Sequence, residues 1–144
     1  MKTIIKHAIS LCLLIIVLPG FSTAGNPDNK QVRSVSDFSA IQVSAGIDLI
    51  LESGPQIKVT LEGDADETAR IVTEVRNGTL HIYRKGKFGL HFDFHSDCEV
   101  HVTAKVLNSL DASSGSEVKS INRFSGNEIR VNASSGSEVT LDLQ

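Results

Sequence analysis

The sequence predicts an all-β protein: a short parallel β-helix with a strand-rich N-terminal part and one short helix. Three observations carry that prediction. After Asp37, apolar and polar residues alternate at period 2 through most of the chain. Turn formers interrupt the runs at short intervals, as at Ser53-Gly54-Pro55 and Asn77-Gly78. And Ala112-Ser113-Ser114-Gly115-Ser116-Glu117-Val118 recurs unchanged as Ala133-Ser134-Ser135-Gly136-Ser137-Glu138-Val139, 21 residues further on.

The 144 residues suit one domain. Residues 1–24 have the form of a secretory signal peptide. Lys2 and Lys6 make a positive start, Ala8 to Leu18 is almost unbroken apolar sequence, and Pro19-Gly20 ends it. Small residues at Ser22 and Ala24 suit cleavage after Ala24. The apolar run is too short to span about 30 Å of hydrocarbon at ~1.5 Å per residue. Cys12 follows Leu11 rather than a small residue, which argues against a lipoprotein. Removing Lys2 and Lys6 leaves 12 basic against 17 acidic residues, a net charge of −5. No Lys/Arg stripe exists, which excludes a strongly basic nucleic-acid binder. Cys98 then stands alone, so no intramolecular disulfide is available, and a small buried apolar role is expected for it.

Residues 25–36 are polar and rich in turn formers, and read as a flexible leader before a single domain over 37–144. Phe38–Val43 reads as the first strand. Ile47, Leu49 and Leu51 then alternate with Asp48, Ile50 and Glu52, and Ile57, Val59 and Leu61 with Lys58, Thr60 and Glu62; both are expected as paired strands with one buried face. Asp64, with Glu67 three residues on, predicts a capping box opening a helix to about Ile71. Val72 and Val75 return to β character. Asn77-Gly78 predicts a tight type I′ hairpin into Leu80, Ile82 and Tyr83. Arg84-Lys85-Gly86-Lys87 is a solvated basic turn. Leu90, Phe92 and Phe94 then alternate with His91, Asp93 and His95, and Val100 and Val102 with Glu99, His101 and Thr103.

The 21-residue repeat carries the most architectural information. Extended chain covers ~3.3 Å per residue, so one period traces about 70 Å, a suitable circuit for one rung of a parallel β-helix. Leu110, Ala112 and Val118, with Ile129, Val131, Ala133 and Val139, are expected to face the interior, and equivalent positions to stack. Gly115 and Gly136 would supply corner dihedrals closed to bulkier residues. The match extends back to Leu110-Asp111 and Val131-Asn132, and Val43-Ser44-Ala45-Gly46-Ile47-Asp48-Leu49 echoes it. The serines are expected to bond corner backbone; a Ser/Glu edge taking a glycan or cation is the alternative.

Phe38-Ser39-Ala40-Ile41-Gln42-Val43 with Ile47–Leu51, Asn77-Gly78-Thr79-Leu80-His81-Ile82, Val100-His101-Val102, and Leu107…Leu110…Ser114-Gly115-Ser116 with its copy together resemble the bacterial head GIN family, known as a putative auto-transporter adhesin and domain of unknown function. The resemblance covers residues 37–143. It departs at Lys105-Val106, where the family commonly has Pro, and in stopping after the second Ser-Ser-Gly-Ser where members continue for several coils. It implies a right-handed parallel β-helix in a secreted or envelope protein, and no catalytic residues. The expectation is a non-catalytic exported protein of the periplasm, outer-membrane surface or extracellular space, acting as an adhesin or surface-interaction module toward a glycan or surface protein. The alternative is a carbohydrate-processing enzyme on the same scaffold; no Gly-x-Ser-x-Gly, His-Glu-x-x-His or phosphate loop supports it. No cofactor is expected. His91, Asp93 and His95 share a strand face but are spaced too widely to hold one ion easily, so no metal is expected. The final rung, with Val139, Leu141 and Leu143 on one face, is expected to self-associate through its open edge or to be marginal as a monomer.

Overall fold

The computed structural model describes residues 30–86, 98–126 and 128–144. Residues 1–24, and with them the predicted signal peptide, lie outside this range, as do His91, Asp93 and His95. The described residues form strands β1 (Lys30–Arg33), β2 (Ala40–Val43), β3 (Asp48–Ser53) and β4 (Lys58–Glu62), helix α1 (Ala65–Arg70), then β5 (Ile71–Arg76), β6 (Thr79–Arg84), β7 (Glu99–Ala104), β8 (Ser109–Ala112), β9 (Glu117–Phe124), β10 (Arg130–Ala133) and β11 (Glu138–Leu143). They build two mixed sheets. One has six strands in the order β1-β4-β7-β3-β9-β11, the other five in the order β10-β8-β2-β6-β5.

The inward residues of both sheets share one core. Leu49, Leu51, Val59, Leu61, Val100, Val102 and Val118 come from the six-stranded sheet; Ile41, Val43, Leu80, Ile82, Leu110 and Ala112 come from the other. Each strand contributes alternate residues, as a period of 2 requires. Cys98 is fully buried in this core.

The pairing explains the repeat. Leu110 lies opposite Val131 and Ala112 opposite Ala133 in the parallel β8–β10 pair; Val118 lies opposite Val139 in β9–β11. The fainter upstream echo is the next layer: Val43 pairs with Ala112 and Leu49 with Val118. Burial differs between layers. Leu110, Ala112 and Val118 are buried, whereas Val131 and Ala133 are exposed and Ile129 and Val139 only half-buried. The second copy is at the edge of both sheets, with one neighbouring layer instead of two.

The sheets are open and mixed, which is coarser than the β-helix the repeat suggests. A solenoid adds layers in chain order, whereas here β8 and β9 stack on β2 and β3, on the side opposite β6 and β7, rather than on β6 and β7, which precede them in sequence. The chain leaves the stack after β3 and runs through β4, α1 and β5. It returns by the antiparallel β5–β6 hairpin, whose Asn77 and Gly78 have φ of 50° and 74° as a type I′ turn requires. Strands β3 and β4 do not pair with each other: β7 lies between them, antiparallel to β4.

Two local expectations change. Lys30–Arg33, read as part of a flexible leader, forms β1 antiparallel to β4, and Arg33 donates to the Thr68 carbonyl at 2.8 Å. The capping box does not form: Asp64 is at the N-cap without a side-chain cap bond. Glu67 instead pairs with Arg84 and, at 3.6 Å, with Arg70. A two-charge partner outcompetes one exposed backbone N–H for the same carboxylate.

Candidate recognition face

The chain passes from one sheet to the other through matching corners. Ala45 and Gly46 have φ of 70° and 63°, Ser114 and Gly115 of 56° and 74°, Ser135 and Gly136 of 54° and 77°. Two consecutive left-handed residues turn the chain sharply. The sequence pointed only to the glycines, yet a non-glycine residue shares the strained region at every corner. The cost is met by a ladder between corners: Gly46 N–H donates to the Ser114 carbonyl at 3.0 Å, and Gly115 N–H to the Ser135 carbonyl at 3.1 Å. The expected serine-to-backbone bonds form at the third serine. Ser116 Oγ donates to the Ser113 carbonyl at 2.9 Å; Ser137 Oγ bonds the Ser134 carbonyl at 2.7 Å. Ser116 is buried beside Ile47, its counterpart in the previous layer, and this internal bond lets a hydroxyl occupy an apolar position.

These corners hold the outer face of the five-stranded sheet in register. Glu74, His81, Gln42, Asp111 and Asn132 form one row across β5, β6, β2, β8 and β10. Beside it runs Arg76, Thr79, Ala40, Ser109 and Arg130. Between and beyond these rows the small side chains of Ala40, Ser109, Ser113 and Ser134 leave a shallow trough of about 500 Å³, floored by His81, Gln42, Asp111 and Asn132. At the β5 end the polar groups are committed: Tyr83 Oη donates to Glu74 Oε1 at 2.6 Å, and Arg76 pairs with the same carboxylate. The Tyr83 hydroxyl, with lesser help from Arg76 and His81, holds the Glu74 carboxyl below its ordinary value, and Glu74 in turn raises the Tyr83 phenol. In the middle of the trough the position is reversed. Gln42, His81, Asp111 and Asn132 make no side-chain hydrogen bond or ion pair among the described residues.

The six-stranded sheet carries a second row on its outer face, also absent from the sequence reading. Glu62, Glu99, Asp48, Glu117 and Glu138 are register neighbours on β4, β7, β3, β9 and β11. At one end Lys30 Nζ pairs with Glu62 at 3.4 Å, and His101 Nε2 lies 3.3 Å from Glu99 and 3.6 Å from Glu62. Further in, partial burial raises the Asp48 carboxyl above its ordinary value; Glu99 adds to this and Arg84 opposes it. No group of three or more His, Cys, Asp or Glu is arranged to hold a metal ion among the described residues.

The trough residues were half legible. The 21-residue offset aligned Asp111 with Asn132. Adding Gln42 and His81 requires the order of strands in the sheet, which the sequence does not display.

The described residues thus form a two-sheet β domain with stacked left-handed corners and a polar outer face held in register. The chain belongs to the family described as "Putative auto-transporter adhesin, head GIN domain", whose model matches residues 37–144. Solved structures share the fold. A putative adhesin from Bacteroides fragilis matches with TM-score 0.68 and 16% identity over 80% of this chain and 54% of that one. Another from Parabacteroides merdae gives 0.66 and 22% over 79% and 50%. A putative lipid binding protein from Parabacteroides distasonis gives 0.65 and 21% over 81% and 51%. The chain spans about half the length of these structures. No curated protein matches it in sequence.

Proposed function

We propose that this is a non-catalytic adhesive module of the cell envelope, exported by residues 1–24, whose recognition surface is the outer face of the five-stranded sheet. The parallel layers are, on this reading, rungs of a short right-handed parallel β-helix that departs from chain order in placing the β2/β3 rung between β6/β7 and β8/β9, and into which β1, β4 and β5 are inserted. The observation that carries the functional reading is the trough: broad, shallow, and lined by amide, imidazole and hydroxyl groups around a single carboxylate, Asp111. A polysaccharide-cleaving enzyme needs converging acids and a base in a groove that excludes water. The family and the adhesin names of its solved relatives support the same choice. The lipid-binding name of one relative brings in an apolar ligand; this lining offers an acyl chain little apolar surface.

Two measurements test the proposal. The intact mass of protein recovered from outside the inner membrane should correspond to a chain beginning at Gly25; a chain retained inside at full length contradicts export. Particles coated with the folded protein should be retained on surfaces presenting envelope or matrix polymers, and particles coated with heat-unfolded protein should not. Equal retention of both would remove the adhesive reading.

A further inference from the structure

Gln42, Asp111 and Asn132 occupy successive strands in one register row, and His81 extends the row on the other side of Gln42. Neighbouring strands lie about 4.8 Å apart, so the row presents a new polar group at each such step. Three of the four are planar carboxylate or amide groups, which engage two adjacent hydroxyls at once: an amide offers donors and acceptors, a carboxylate two acceptors. Among the described residues, no side-chain bond consumes these groups. The neighbouring positions Ala40, Ser109, Ser113 and Ser134 are small, so a ligand can approach the row along its whole length.

We infer that the trough binds a neutral, extended oligosaccharide lying across the strands, with successive sugar rings over β6, β2, β8 and β10. The inference rests on the adhesive reading and supplies its ligand class. A pyranose ring with its glycosidic bond repeats at a length close to the inter-strand spacing, so equivalent hydroxyls meet equivalent positions on successive strands. Charge selects against an acidic polymer: the one carboxylate lining the trough is Asp111, Glu74 adds a second negative group at the end of its row, and Arg76 and Arg130 lie at opposite ends of the adjacent row. Arg76 is already paired with Glu74, and Arg130 lies 3.7 Å from Glu128. A peptide is a poorer fit, because a sheet face presents no free backbone edge and this one has no apolar anchor pocket. The open face implies weak binding per ring and affinity that accumulates with length.

Calorimetric titration of the protein with hexasaccharides of glucose, mannose and N-acetylglucosamine, and with an oligogalacturonate of equal length as the acidic probe, tests this. At least one neutral hexasaccharide should bind, and its disaccharide should bind much more weakly. Asp111→Ala and Gln42→Ala should each weaken binding by about tenfold or more, the loss expected for a removed pair of hydrogen bonds. Lys119→Ala, on the other sheet, should not. Both trough positions face outward, and unchanged melting temperatures will show that the variants fold. No binding of any neutral hexasaccharide, preference for the acidic one, or binding indifferent to Asp111 and Gln42 would overturn the inference. Failure of the adhesive reading is separate: it would appear as wild-type particles retained on no surface, whatever the oligosaccharides do.

Discussion

Val118 and Val139 are the same residue in two identical seven-residue runs, so mutating each to Ala isolates the effect of position in the stack. Val118 is fully buried, with Leu49 on one side and Val139 on the other. Removing two buried methyl groups loses about 1.6 kcal/mol of transfer energy, and the unfilled cavity brings the cost of Val118→Ala to about 2–3 kcal/mol. Val139 is half-buried and has a partner strand on one side only. Solvent fills the space its methyls leave, so Val139→Ala should cost about 0.5–1 kcal/mol. The substitution is the same and the six residues before each valine are identical, so intrinsic β-propensity largely cancels. A domain of this size has about 5–15 kcal/mol in total, which makes the gap readable. Urea unfolding followed by circular dichroism at low protein concentration gives both values. Equal losses, or a larger loss at Val139, would refute the assignment of inner and edge layers. A concentration series adds a second reading: pairing of the β11 edge with another copy would make the cost of Val139→Ala grow with concentration while that of Val118→Ala stays constant.

Three further outcomes are expected. Asp48 binds its proton more tightly in the folded state, so its favourable contribution is fully present below the ordinary aspartate value and is lost as pH rises through the raised one; Asp48→Asn should raise the melting temperature at neutral pH and leave it unchanged in acid, and a lower neutral melting temperature would contradict this. Tyr83 is the one tyrosine of the chain, so ultraviolet titration reads it directly: its midpoint should lie above that of free tyrosine and fall in Glu74→Gln, and an unchanged midpoint would remove the hydrogen bond. Sedimentation of residues 25–144 should show association through the β10–β11 edge, where Val131 and Leu143 are 41% and 46% exposed; Val139→Lys should shift it to monomer, and a wild type monomeric at high concentration would refute edge pairing.

Local structure was more legible in the sequence than its arrangement. Alternation at Leu49/Leu51 and Val100/Val102 located the buried faces because a strand's period of 2 is a local property. Asn77-Gly78 located a hairpin for the same reason. The repeat located two stacked layers, and the echo at Val43–Leu49 a third, because equivalent positions in a stack face equivalent environments. The insertion of β7 between β3 and β4 was not legible, since long-range strand order is decided by which apolar faces fit and leaves no short-range signature. Strand order is likewise what brings Gln42 beside Asp111, His81 beside Gln42, and Glu99 beside Asp48. Lys30–Arg33 escaped for another reason: three of its four residues are exposed, so an edge strand held by backbone bonds to β4 has the composition of a loop.

The claim at the centre of this account is that one face of one sheet does the recognising. Particle retention on immobilised polysaccharides measures it directly when wild-type protein is compared with Asp111→Arg and Asn132→Arg on the five-stranded sheet and Lys119→Glu on the six-stranded sheet. The two trough variants should lose retention while remaining folded, and Lys119→Glu should keep it. Retention that survives both arginines, or that is lost only with Lys119→Glu, would place recognition elsewhere on the molecule.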